Sequence, residues 1–123
     1  MQLDPELLRL LLLRIEASPP NQRVTSITVD GYDENAVFEH LELLMDDGLI
    51  EGTMHGGGMG QGRIAAAVID RLTMSGHNFL NNARNDTVWR KSRAVIKEKV
   101  GTVSFELLKV LVVQAAKAQL GIP

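Results

Sequence analysis

Between Gly31 and Leu80 the chain runs without a linker through a helical pattern, a glycine-loaded turn flanked by two strand patterns, and a second helix. The first pattern carries Val37, Phe38, Leu41, Leu44 and Met45 at helical spacing, opens at Tyr32 or Asp33 and is stopped by Gly48. Residues 49–55 and 64–72 then read as paired strands. Between them Gly56-Gly57-Gly58-Met59-Gly60-Gln61-Gly62 places five glycines in seven residues. No Gly-Lys-Ser/Thr follows, and Arg63 leads into a strand rather than a helix, so the loop lacks the helix N-terminus of a phosphate cradle. Glycine supplies positive φ without steric cost, so the segment reads as a hairpin tip and as the most mobile internal stretch. Helix, hairpin, helix is the order of a winged-helix module.

The remaining elements fit around that unit. Asp4 as N-cap and Pro5 at the first helical position start a helix that Ser18-Pro19-Pro20 ends. Residues 24–29 are rich in β-branched side chains and predict a short strand on the edge of the hairpin, making three strands. The interval before the second helix leaves no room for the extra helix of a helix-turn-helix. Thr73 is the expected N-cap of the third helix, Asp86 or Thr87 of the fourth and Ser104 of the fifth. Gly101 and Gly121 are the expected stops of the last two. The expected fold is therefore α+β. It is a single domain over 1–123, winged-helix-like over 1–84, with a C-terminal helical extension over 85–123.

Composition narrows the function. The chain has 123 residues, 45% of them hydrophobic, enough for one modest core. It holds no cysteine, which removes disulfides, thiolate chemistry and Cys-type zinc fingers. His40, His55 and His77 stand singly, without zinc-ligand spacing and without a nucleophile–base–orienter set. We expect no catalysis, metal or cofactor. The start of the chain has no signal-peptide pattern, and the leucine run of residues 7–13 is too short to cross a bilayer. A cytoplasmic protein without a membrane role is the expectation.

Charge is unevenly placed. Residues 1–62 hold three arginines against eleven carboxylates, a net of −8, and residues 63–123 hold ten cations against four carboxylates, a net of +6. The second helix points Asn35, Glu39, Glu42 and Asp46 away from its apolar side, with no Lys or Arg between Arg23 and Arg63. The fourth helix sets Arg90, Arg93 and Lys97 one turn apart with Lys91 nearby, opposite Val88, Trp89, Val95 and Ile96. This basic stripe fits a phosphate backbone, an ordinary solvated face, or a partner for the acidic helix. One expected function is thus a regulatory nucleic-acid-binding protein using Arg63, Arg90, Lys91, Arg93 and Lys97. The alternative is a protein-binding module acting through Asn35, Glu39, Glu42 and Asp46. The fifth helix, residues 104–120, is apolar over more than half its circumference. We expect it to form a homodimer through Leu108, Leu111, Val112 and Ala115, with Leu11 or Leu12 nearby.

The order Gly31-Tyr32, Val37, His40-Leu41, Leu44, Gly48-Leu49-Ile50, then Leu72-Thr73-x-x-Gly76-His77-x-Phe79-Leu80, then Asp86-Thr87-Val88-Trp89 resembles a family of small proteins from phages, prophages and bacteria. That family is classed as a domain of unknown function. The similarity covers nearly the whole chain, and its most specific piece is the Leu-Thr-x-x-Gly-His block followed by Asp-Thr-Val-Trp. It implies a winged-helix-like N-terminal part, a phage or mobile-element setting, and no catalytic residues. Under the protein-binding alternative, a phage product would engage a host enzyme or a defence component through its acidic second helix.

Overall fold

The computed structural model describes residues 3–19, 21–25, 27–56, 64–99 and 104–122. Five helices and one antiparallel hairpin follow in the order α1 (Pro5–Glu16), α2 (Glu34–Asp46), β1 (Ile50–Gly56), β2 (Ile64–Leu72), α3 (Met74–Ala83), α4 (Asp86–Lys99) and α5 (Phe105–Leu120). The fold is α+β, and the order is compatible with a winged-helix-like part followed by C-terminal helices. The hairpin tip, including Arg63, and the Gly101 stop lie outside the described residues.

Each helix begins where a side chain satisfies its free amides. Asp4 accepts from Glu6 and Leu7, Asp33 from Ala36, Thr73 from Gly76 and Ser104 from Leu107. The fourth cap differs from expectation. Asn85, rather than Asp86 or Thr87, accepts from the amides of Thr87 and Val88, at 3.0 and 3.1 Å. Three capping residues stand in a row there, and the use of Asn85 leaves the Asp86 carboxylate to pair with Arg9. At the end of α2, Gly48 takes a φ of 76° and donates to Met45, while Leu49 donates to Leu44. This is a Schellman turn, which closes the helix and aims the chain into β1.

The predicted third strand is reduced to a bridge. Val24 and Ile69 exchange both backbone hydrogen bonds at 2.8 Å, and among the described residues the sheet itself has two strands. Ile27 and Val29 instead pack their β-branched side chains against the core, so the segment satisfies its apolar content without a ladder. The hairpin register pairs Ile50 with Leu72 and Gly52 with Ile69, and the shift between them sets Asp70 aside to meet Arg23 at 3.0 Å.

Leu7, Leu8, Leu11 and Leu12 of α1 form the middle of the core, against Val37, Leu41 and Leu44 of α2, Ile69 of β2, and Leu80 of α3. α5 closes the other side with Leu108 and Val112. His40 is buried among these apolar residues, at 2% exposure. Its Nε2 accepts the Asp4 amide at 2.9 Å and its Nδ1–H donates to the Ala36 carbonyl at 2.8 Å, so a core polar group is fully used.

Candidate interaction surfaces

The outer face of α2 is one candidate. Asn35, Glu39, Glu42 and Asp46 are all exposed, as the 100° periodicity demands once Val37, Leu41 and Leu44 are buried. None of the three carboxylates enters an ion pair among the described residues. Beside them lies an open cavity of about 300 Å³. Leu3, Leu8, Leu43, Leu44 and Phe105 wall it, with Asp46, Asp47 and Glu106 also in its lining. Asp47 and Glu106 are already engaged by Lys109, at 2.8 and 2.9 Å. Burial pulls the Lys109 ammonium down, but its hydrogen bonds to Asp47 and Glu106 prevail and hold it above its ordinary value.

The fourth helix divides its cations between two tasks. Arg90, Lys91 and Lys97 are exposed and enter no ion pair among the described residues. Arg93 is different. Its guanidinium lies 5.9 Å from the Trp89 ring centre and 3.7 Å from Glu6, so it braces the fold. Val95, expected on the buried side, is 41% exposed. It falls at the edge of the apolar arc, where Val88, Trp89 and Ile96 already fill the contact with the core.

The brace around Trp89 escaped the sequence reading. Trp89 Nε1 donates to Glu6 at 2.7 Å, and Arg9 covers the same ring at 5.4 Å. Arg9 also donates to the Ala83 and Arg84 carbonyls at 2.9 and 3.2 Å and pairs with Asp86 at 2.7 Å. One arginine thus caps the end of α3 and ties α1 to the start of α4. Nearby, Arg84 grips Glu16 of α1. Hydrogen bonding to Arg84 lowers the Glu16 carboxyl below its ordinary value, and the same bond raises the guanidinium. At the N-terminal end of α1, burial and then a hydrogen bond to Asp4 push the Tyr32 hydroxyl up.

The homodimer expectation needs correction at its named residues. Leu108, Val112, Leu11 and Leu12 are each at most 1% exposed within their own chain, and Leu111 and Ala115 are partly covered. Leu108 and Val112 turn the α5 stripe toward the chain's own core, with α3 and α4 as the helices packed against it. What α5 leaves exposed is Val110, Val113 and Leu120, interleaved with Gln114 and Lys117.

No group of three potential metal ligands occurs among the described residues, and no described helix is long and apolar enough to cross a membrane.

Most of the residues carrying the family resemblance have structural work. Thr73 caps α3, donates its hydroxyl to the Gly48 carbonyl, and gives its amide to Leu49. A Cβ at Gly76 would collide with the Leu49 carbonyl, so only glycine lets α3 approach the turn after α2. Asp86, Val88 and Trp89 serve the brace and the core. His77 is exposed, and nothing in the structure explains its place in the block.

Comparison with known proteins agrees with that pattern. An "Uncharacterized protein" of Haemophilus influenzae is 32% identical over 112 residues, covering 89% of this chain and 90% of that protein. No solved structure matches. The family described as "Hypothetical protein (DUF2513)" matches residues 2–102, nearly the whole chain outside α5, and to that family the chain belongs.

Proposed function

We propose that this protein is a non-enzymatic, winged-helix-like regulatory module from a mobile element, and that it acts by holding another protein on the outer face of α2. The observation that carries this reading is the face itself. Glu39, Glu42 and Asp46 are exposed without ion-pair partners among the described residues, and Leu43 and Asp46 border an apolar cavity. Carboxylates repel phosphates, and no Lys or Arg between Arg23 and Arg63 offsets them. An apolar depression with a charged margin suits a protein partner, since buried anchors supply affinity while the rim supplies selectivity. A host or defence protein is the partner class that fits a mobile-element product.

A second reading rests on α4. Arg90, Lys91 and Lys97 are exposed together and suit positioning contacts to phosphates, with Arg63 of the wing as a further contact. Capture from host lysate with and without nuclease separates the two readings. Under the first, wild type retains a protein in nuclease-treated lysate, the Glu39→Gln/Glu42→Gln/Asp46→Asn variant loses it, and Arg90→Ala/Lys91→Ala/Lys97→Ala keeps it. Capture abolished by nuclease, or by the α4 variant alone, assigns the function to nucleic acid instead.

A further inference from the structure

Resting on the reading of α2 as a protein-binding face, we propose that one occupant of that face is a second copy of this chain, docked through the outer face of its α4. The two faces match in length and oppose in sign. Glu39, Glu42 and Asp46 span eight residues of α2, and Arg90, Lys91 and Lys97 span eight of α4, each about 10 Å along its axis. All six side chains are exposed, and none of them enters an ion pair among the described residues. By contrast Arg9, Arg23, Arg71, Arg84, Arg93 and Lys109 all find carboxylates within the chain.

Each stripe also carries one partly exposed apolar side chain four residues after a charged one. Leu43 follows Glu39 at 36% exposure, and Val95 follows Lys91 at 41%. Beside the α4 stripe lie two carboxylates, Glu98 and Asp86, and Asp86 is already paired with Arg9, so that face keeps a positive excess. The proposed arrangement is two-fold: α2 of each copy meets α4 of the other and the pair closes as a dimer, whereas the same contact made without that axis would run on head to tail into larger assemblies. The contact is charge-driven, so it weakens with salt. A host partner presenting a basic face competes with the second copy for α2.

Sedimentation equilibrium tests this. Wild type should show dimer mass at about 10 mM salt, where the screening length is about 30 Å, and monomer mass at about 1 M, where it is about 3 Å. Glu39→Lys/Glu42→Lys and Arg90→Glu/Lys91→Glu should each be monomeric at low salt, with unchanged circular dichroism because all four positions are exposed. Their equimolar mixture should regain dimer mass, since the two unmutated faces meet as in wild type and the two reversed faces meet with signs exchanged. A wild type that is monomeric at low salt, a dimer indifferent to either charge reversal, or a mixture that stays monomeric overturns the proposal. Monomeric wild type that binds duplex DNA through Arg90 and Lys91 overturns it too and assigns α4 to nucleic acid. Monomeric wild type that still captures a nuclease-resistant partner through Glu39 and Glu42 overturns the self-contact alone and leaves the protein-binding reading of α2 standing.

Discussion

At the seam between α1 and α4, Glu6, Arg9, Asp86 and Arg93 are bonded to one another and to Trp89, whereas on the outer face of α2 Glu39, Glu42 and Asp46 enter no ion pair among the described residues. Both regions are charged and helical. They differ in that the seam is partly dry. The Arg9 side chain is 13% exposed, so its charge must be matched locally, while an exposed carboxylate is solvated by water. Charge in this protein therefore stands in two settings, one that fixes helices in place and one left in solvent on the outer face of α2. Apart from the exposed His77, Asp86 of the family resemblance falls with the first setting and Val37, Leu41, Leu44, Leu80, Val88 and Trp89 in the core, so they mark a fold.

Substitutions that strike the bonded framework should have the largest effects. Gly76→Ala drives a methyl group into the Leu49 carbonyl, and no flexible side chain can yield there. We expect a loss of about 3 kcal/mol in denaturant unfolding, at the upper end of the range for overpacking. Arg9→Ala removes the donors to Ala83 and Arg84 and the partner of Asp86. A loss of about 2 kcal/mol is expected, in the range for hydrogen bonds to charged groups. Equal stability of Arg9→Ala and wild type would break the comparison, because the seam would then be no more structural than the α2 face.

A smaller effect reads the seam through pH. The folded-state pKa of Glu16 is lowered by Arg84, so the pair contributes stability above the ordinary Glu value and loses it as pH falls through the lowered one. Glu16→Gln should cost a few tenths of a kcal/mol near neutrality, as exposed pairs do, and nothing in acid, where wild type has lost the same contribution. Denaturant midpoints of both proteins across the acid range check the sign. A difference that grows toward low pH is the contrary outcome.

Much of the framework was legible because its signals are local. The caps at Asp4, Asp33, Thr73 and Ser104 and the stop at Gly48 act within a few residues of their own helix, and the hairpin is announced by its glycines. The acidic face of α2 follows from periodicity alone. The seam was illegible because it joins residues far apart: Glu6 to Trp89 across 83 positions and Arg9 to Asp86 across 77. Arg93 was accordingly assigned to a phosphate-binding stripe. The buried role of His40 had an available sign, its position between Val37 and Leu44 on the apolar side of α2, outweighed by the carboxylates at Glu39 and Glu42. The shortened third strand and the burial of Leu108 and Val112 share a different cause. Propensity and apolar arc say how much surface must be covered, while the tertiary packing decides what covers it.

The most direct test of the two settings of charge is the denaturant midpoint of Glu39→Gln/Glu42→Gln/Asp46→Asn in dilute solution, where a weak self-contact is dissociated. If the α2 carboxylates have no partner within the chain, removing them relieves mutual repulsion at helical spacing, and the stability stays level or rises by about 0.5 kcal/mol. A loss above about 1 kcal/mol contradicts the account, because it would mean that the face is bonded to its own chain and is not free to hold another molecule.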